Sequence, residues 1–441
     1  MTPSLRKALG LAVAGSLASV VALAVAVGPA TGQSATSEED PLPSGVVIDI
    51  DAPEDRMFHI GIPDLGGVPA RGALAGEVLR TDFGLMPGYD VLDPRGFSRE
   101  ITTAGLDVHA GQWSGTGADG VVSGEVRSLG ERFELELRFY WFGHGTAPAL
   151  ARTYEGGEAS LRTHLHDFAN AILETVTGRP GPFGTKMVFS RRESPGQKDV
   201  YCADMDGYGV HRLSPPRGIS NMPAFGLGRV WFTRMTPTGM FITHHQAQDR
   251  RIITSDGINM APAVCDDRRV YFTSSRDGNS EIYSAAEDGT DVRRLTNDPA
   301  MDLSPACGPG GTLAFVSTRH RTPQIFLMNR DGSGVRRLTF RGSHNQTPTF
   351  CPDPSRRLLA FTGRDDNFDI FTLDLGTNTY ARVTQGQGDN TDPAFSRDCR
   401  LLAFASTRRG APGVYVASPS GAHQRRVIEG DAESVRWSTS N

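Results

Sequence analysis

Five stretches decide the fold: Met222-Pro-Ala-Phe225, Ala261-Pro-Ala-Val264, Ser304-Pro-Ala-Cys307, Thr347-Pro-Thr-Phe350 and Asp392-Pro-Ala-Phe395. Their prolines lie 39, 43, 43 and 45 residues apart. Apolar runs of strand length follow, among them Val270–Ser274, Leu313–Ser317, Leu358–Thr362 and Leu401–Ser406. A third run comes next, as in Glu281-Ile-Tyr-Ser284, Gln324-Ile-Phe-Leu327, Asp369-Ile-Phe-Thr372 and Gly413-Val-Tyr-Val416. A turn such as Asp288-Gly289 or Asp331-Gly332 then leads into Arg293–Thr296 or Arg336–Thr339. Glycine accepts the positive φ that such hairpins need. Four short strands repeating every ~43 residues are the pattern of a β-propeller, whose sheets bury their faces on one another.

The two ends of this region complete each other. Ser434-Val-Arg-Trp-Ser438 reads as the first strand of a repeat with nothing after it. Lys186–Arg191, Asp199–Ala203 and Val210–Ser214 read as strands two to four with no first strand before them. Joined, they make a sixth four-stranded blade, closed by the C-terminal strand, which hides both sheet edges. The expectation is an all-β, six-bladed β-propeller over 185–441. The second repeat, through Val230–Thr254, departs furthest from the pattern.

Upstream the pattern changes. Val46–Ile50 and Phe58–Ile62 read as strands, and Pro69–Thr81 has helical spacing in Ala70, Ala73, Leu74, Val78 and Leu79. Val121–Val126 and Arg132–Phe142 read as a hairpin. There Glu134, Glu136 and Arg138 alternate with Phe133, Leu135, Leu137 and Phe139, so the acids form a solvated strand face rather than a catalytic pair. Leu161–Val176 reads as an amphipathic helix stopped by Gly178 and Pro180. This gives an α+β N-terminal domain over 44–178 and a linker over 179–184.

At the start, Arg6 and Lys7 precede a long uncharged stretch with small residues at Gly28 and Ala30. That is the plan of a secretory signal peptide, 1–30, cleaved after Ala30. A retained anchor is the weaker alternative, because its many Ala, Gly and Ser residues insert poorly in lipid. Five cysteines, Cys202, Cys265, Cys307, Cys351 and Cys399, form no C-x-x-C pair. Cys265, Cys307 and Cys351 read as occupying one place in the repeat. They should therefore point the same way and stay as buried free thiols. The formal charge of −5 and 22% charged residues suit a globular, monomeric protein and give no basic field for nucleic acid.

Chemical motifs are few. Gly115-Thr-Gly-Ala-Asp-Gly120 satisfies G-x-G-x-x-G, but Val121-Val-Ser-Gly-Glu-Val126 continues as a strand where the dinucleotide fingerprint needs a helix. Asp204-Met-Asp206-Gly207 lacks the spaced carboxylates of a calcium loop. No G-x-S-x-G, H-E-x-x-H or P-loop occurs. His164, His166, His244 and His245 read as structural or solvated, and no cofactor or metal is expected. One positional pattern stands out. Three residues before each repeat proline stand Ser220, Asn259, Asp302, Asn345 and Asn390, with Asn221 beside the first. Ile258, Met301, His344 and Asp389 precede the last four. Asn and Asp favour such turns for local reasons. Equivalent loops converging at one channel opening would also form a ring able to hydrogen-bond a protruding peptide.

Together with the leader and the repeats, Ile60-Gly-Ile-Pro-Asp64, Leu79-Arg-Thr-Asp-Phe83, Gly117-Ala-Asp-Gly-Val-Val-Ser-Gly124 and Gly342-Ser-His-Asn-Gln-Thr-Pro348 resemble the TolB family over residues 44–441. The resemblance implies a non-enzymatic protein of the periplasm in the Tol–Pal envelope system. It implies binding of a Pal-like peptidoglycan-associated lipoprotein through the propeller mouth. A TolA-like inner-membrane protein would meet the N-terminal region, and the system supports outer-membrane integrity and cell division. Carried onto this chain, the mouth residues are Asn221, Ile258, Asn259, Met301, Asp302, His344, Asn345, Asp389 and Asn390. Ile258 stands where some relatives carry histidine, and the W-S-P-D-G core of the repeats is mostly absent. Alternatives of another class are a propeller-containing hydrolase or peptidase accessory, and a carbohydrate-binding envelope protein.

Overall fold

The structure is a computed structural model that describes residues 57–439, apart from 104, 114, 248 and 249. The expected leader and the expected strand at Val46–Ile50 lie outside the described residues. The first part is a mixed sheet of β1 (Phe58–Gly61), β2 (Gly66–Gly67), β3 (Tyr89–Val91), β4 (Gly120–Leu129), β5 (Arg132–Trp141) and β6 (Leu150–Gly157). Its order is β3-β1-β4-β5-β6, with β2 beside β4; β1 runs parallel to β3 and β4, β2 runs parallel to β4, and β4-β5-β6 is antiparallel. In β5, Phe133, Leu135, Leu137 and Phe139 are fully buried, while Glu134, Glu136 and Arg138 keep partial exposure. Arg127 pairs with Glu125 and Glu134 across this outer face, as expected of solvated charges.

Two long helices cover the other face. α1 (Pro69–Leu85) starts on a proline, whose missing N–H costs nothing in the first turn. It runs four residues beyond the expected end because Phe83 and Leu85 still find the core. α2 (Leu161–Thr177) ends at Gly178, whose φ of 76° gives the left-handed cap a glycine takes most easily. The expected linker is anchored rather than loose. Phe183 is fully buried, and its N–H and C=O bond the Asn170 side chain at 3.1 and 2.9 Å. The N-terminal core continues without a break through Phe183, Met187, Phe189, Met205, Val435 and Trp437 into the second part.

That second part is a β-propeller. Four separate four-stranded sheets begin with the inner strands Asn259–Val264, Asp302–Cys307, Asn345–Phe350 and Asn390–Phe395. The remaining strands form one seven-stranded sheet. One half of it holds Ile219–Gly226, Arg229–Thr236 and Gly239–His244; the other holds Lys186–Ser194, Gln197–Asp204, His211–Arg212 and Ala432–Trp437. The strand at His211–Arg212 is only two residues long, so Ile219 reaches Lys198 directly and joins the halves through one parallel pair. Ala432–Trp437 pairs antiparallel with Lys186–Ser194, as expected from the matching ends. The inner strands form a closed circuit, from Ile219–Gly226 through the four above to Ala432–Trp437 and back. In the degenerate second repeat, Ile253 makes only an isolated bridge to Ile242.

The repeat proline marks a bulge. Met222, Ala261, Ser304, Thr347, Asp392 and Ser434 all have φ between 49° and 57°, and pairing slips beside each of them. A residue before proline is already steered away from the right-handed helical region. Here it takes the left-handed one, a strained conformation for non-glycine residues. Neighbouring blades hold these bulges. The Ala261 and Ser304 N–H groups donate to Thr233 and Thr273 Oγ1, both at 3.0 Å. The Asp392 N–H donates to Thr362 Oγ1 at 3.1 Å, and the Ser434 N–H donates to Asp392 Oδ2 at 2.9 Å.

The cysteine expectation is overturned. Cys265–Cys307 and Cys351–Cys399 are disulfides, each between adjacent blades, and Cys202 alone stays a buried thiol. Ala263 and Ala306 are register equivalents, so Cys307 stands one place earlier than Cys265. A one-residue offset turns a side chain to the opposite face of a strand. The two thiols from neighbouring blades therefore meet instead of pointing the same way.

Candidate binding site at the propeller mouth

The structure divides the nine expected mouth residues into two groups. Asn259, Asp302, Asn345 and Asn390 begin their inner strands fully buried. Asn221, Ile258, Met301, His344 and Asp389 are partly exposed. The buried group is not presented to a partner. Buried polar groups need hydrogen bonds, and these side chains are committed within the propeller. Asn345 Nδ2 donates to Gln324 Oε1 at 2.8 Å, and Asn390 Nδ2 to Asp369 Oδ1 at 3.1 Å, each tying its blade to the one before. Asn259 Oδ1 accepts from Ser274 Oγ at 2.9 Å, and Asn390 Oδ1 from Ser406 Oγ at 2.8 Å. Arg319 donates to Asp302 Oδ2 at 2.8 Å while packing over Phe315 and Phe326. Burial raises the Asp302 carboxyl, against the pull of Ser317 and Arg319.

The repeated Ser274-Ser-Arg276, Ser317-Thr-Arg319 and Ser406-Thr-Arg408 triplets supply these partners. They went unread in the sequence, where they looked like strand ends. Gln324 and Asp369 belong to a second buried repeat. Thr339 Oγ1 donates to Gln324 at 2.7 Å, and Thr384 Oγ1 to Asp369 at 2.6 Å. Thr296 does the same to Glu281 at 2.5 Å, which explains the Arg-Arg-Leu-Thr motif.

The partly exposed group forms the accessible rim, and its backbone is clamped. Ile258 N–H donates to Ser275 Oγ at 2.9 Å, Met301 N–H to Thr318 Oγ1 at 3.0 Å and Asp389 N–H to Thr407 Oγ1 at 3.0 Å. Ser275, Thr318 and Thr407 return N–H donors to the carbonyls of the same three residues. The rim has two chemical halves. On one side the partly exposed Met240, Ile258, Ala261 and Met301 pack on buried Met222, Met260, Leu303 and Val316 as one apolar cluster. On the other stand His344, bonded through Nε2 to Gln346 Oε1 at 3.0 Å, and Asp389, whose Oδ1 accepts the Phe368 N–H at 3.0 Å. Burial lowers the His344 imidazole from its ordinary range. Beyond them Lys198 and Glu433 pair at 2.5 Å, and burial raises the Glu433 carboxyl.

Sequence reading also missed a cluster between the two parts. His166 on α2 meets Asp82 on α1 at 2.8 Å, and one nitrogen and two carboxylate oxygens of His166, Asp82 and Asp206 lie within 4.8 Å of one another. Such a donor set could hold a cation. Arg162 already supplies one, bonding Asp206 and stacking 4.0 Å over Tyr208. Burial raises the Asp82 carboxyl; it also pulls the His166 imidazole down, but Asp82 outweighs it and the net shift is upward. The cluster fastens the N-terminal domain to the propeller.

Comparison with known proteins agrees with this architecture. The pattern described as the TolB beta propeller domain matches residues 173–357 and 343–441, and the TolB amino-terminal domain matches 46–142. The chain is 32% identical over 195 residues to Tol-Pal system protein TolB of Desulfosudis oleivorans, covering 43% of this chain and 44% of that protein. Against Tol-Pal system protein TolB of Anaeromyxobacter dehalogenans it is 32% identical over 314 residues, 67% of this chain and 65% of the relative. The matches thus span less than half the length of the first relative and just under two thirds of the second. The crystal structure of TolB from Acinetobacter baumannii superposes with a TM-score of 0.74 at 22% identity over 87% of this chain and 97% of that one, a likeness of fold. The chain belongs to the TolB family.

Proposed function

We propose that this chain is a non-catalytic protein-binding scaffold of a Tol–Pal envelope system that grips a Pal-like peptidoglycan-associated lipoprotein in its propeller mouth. The carrying observation is the rim: clamped loops present an apolar methionine-rich half beside a polar half. Methionine adapts to an irregular partner surface. Rigid loops reduce the ordering cost of binding. In this reading Ile258, Met301, His344, Asp389 and Asn221 touch the partner, while Asn259, Asp302, Asn345 and Asn390 position them. The propeller counts as six blades over 185–441, because six inner strands close the circuit; the seven-stranded sheet is two blades joined by one pair. The N-terminal domain, 44–178, couples to a TolA-like inner-membrane protein, and the chain acts as a monomer in support of outer-membrane integrity and cell division. Two disulfides favour an oxidising compartment, in keeping with the periplasm. The test is crosslinking in cells followed by purification of the chain. Recovery of an envelope lipoprotein with the wild type, and its loss with Met301→Asp/His344→Ala, is the expected result. Equal recovery with both would refute the reading.

A further inference from the structure

The inner strands allow the molecule to be compared with itself. One position past each bulge, the register equivalents are Ala224, Ala263, Ala306, Thr349 and Ala394, and in the last strand Arg436. All six line one cavity of about 370 Å³ inside the ring, which starts at the bulge residues, Met222 and Ala261 under the rim among them, and runs along the inner strands away from the rim loops. At these six equivalent positions five small side chains leave the space, and only Arg436 brings a guanidinium. The cavity is in the size range of small-molecule sites.

Arg436 is poorly compensated there. Its Nη1 donates to the neighbouring Val435 carbonyl at 2.8 Å, and no other acceptor bonds it among the described residues. No carboxylate among them comes within ion-pair distance. Asp392 is the acid close enough to act on it through space, but that carboxylate is held by the Ser434 N–H and the Thr391 hydroxyl. The other charges lining the cavity, Arg330 and Asp266, are paired with each other. Burial lowers Arg436 from its ordinary value, with only Asp392 opposing. A guanidinium nonetheless stays charged in proteins, and its planar fork matches an oxyanion. The side chain keeps partial exposure, so its remaining donors open onto the cavity. The other inner strands show that alanine would have served at this position.

We propose that Arg436 makes the channel interior a binding site for an oxyanion of the carboxylate or phosphate class, at the end away from the partner-binding rim. The anion would complete the guanidinium's unused donors, with the Ser434 and Thr347 edges of the cavity as its surroundings. It could arrive as a free small anion or as the carboxylate of an acidic side chain threaded into the channel. The site does not depend on the lipoprotein reading.

The experiment is calorimetric titration of the full mature chain with inorganic phosphate, and separately with the peptide Gly-Asp-Gly, at constant ionic strength. The wild type should bind at least one probe, phosphate pointing to a free anion and the peptide alone to a threaded carboxylate. Arg436→Ala should weaken that binding at least tenfold, and it should fold because alanine fills four of the equivalent positions. Arg436→Gln carries the same expectation should the alanine variant misfold. Binding of neither probe, or equal binding by the folded variants, would overturn the proposal.

Discussion

Replacing Trp437 with alanine tests whether the C-terminal strand closes the ring. Trp437 is 6% exposed, sits in the core shared by both parts, and donates its indole N–H to Thr185 Oγ1 at 2.8 Å. Its neighbour Val435 is completely buried. A buried Trp→Ala change costs about 3–5 kcal/mol through lost transfer energy and the remaining cavity. Here the cost should fall near the upper end, because the hydrogen bond to Thr185 goes too and the ring cannot collapse around one strand. At about 2 °C per kcal/mol for a chain of this size, the melting point should drop by about 6–10 °C. Guanidinium denaturation followed by far-ultraviolet circular dichroism gives the free energy, and calorimetry gives the melting point. A loss below about 1 kcal/mol would mean that the tail is not packed as a closing strand.

Reduction of the disulfides should destabilise the propeller. Sequence separations of 42 and 48 correspond to about 4 kcal/mol each by loop-closure entropy; an unchanged denaturation midpoint in reductant would contradict the pairing. Thr273→Val should cost about 1–3 kcal/mol, because the Ser304 N–H loses its inter-blade acceptor, and denaturant melts measure this directly. Burial first, then nearby Arg229, holds His244 down at about 4, below its ordinary 6.5. The unfolded chain therefore takes up a proton first as pH falls, and stability should decline between pH 6.5 and about 4. His244→Phe should flatten that part of the stability profile, and an unchanged slope would show that another group titrates there.

Much of the fold was legible because propeller strands are short, local and repeated. The repeat prolines marked five of the six inner strands, and the matching ends Lys186–Arg191 and Ser434–Ser438 did pair. The helices ended near their expected stops because Gly178 caps one and burial of Phe83 and Leu85 prolongs the other. The disulfides were not legible. Cys307 differs from Cys265 by one place in register, an offset that the shared Pro-Ala pair just before each cysteine hides. The site was legible only in part. Asn and Asp at the strand starts marked the loops that form the rim, but a polar side chain beside a strand can face solvent or a neighbouring blade. The partners that settle this, Ser274, Ser406, Gln324 and Asp369, lie 15 to 21 residues away in sequence. The apolar half of the rim was hidden for a similar reason. Met240, Met260 and Met301 come from separate repeats and meet only once the ring closes.

The most direct test of the central claim is the affinity of the chain for the soluble domain of a peptidoglycan-associated lipoprotein, measured for variants at the two ends of the channel. Met301→Asp with His344→Ala should weaken binding at least a hundredfold, whereas Asp266→Asn at the opposite end should leave it within twofold. Unchanged binding in the rim variant, or a large loss only in the Asp266 variant, would place the grip elsewhere.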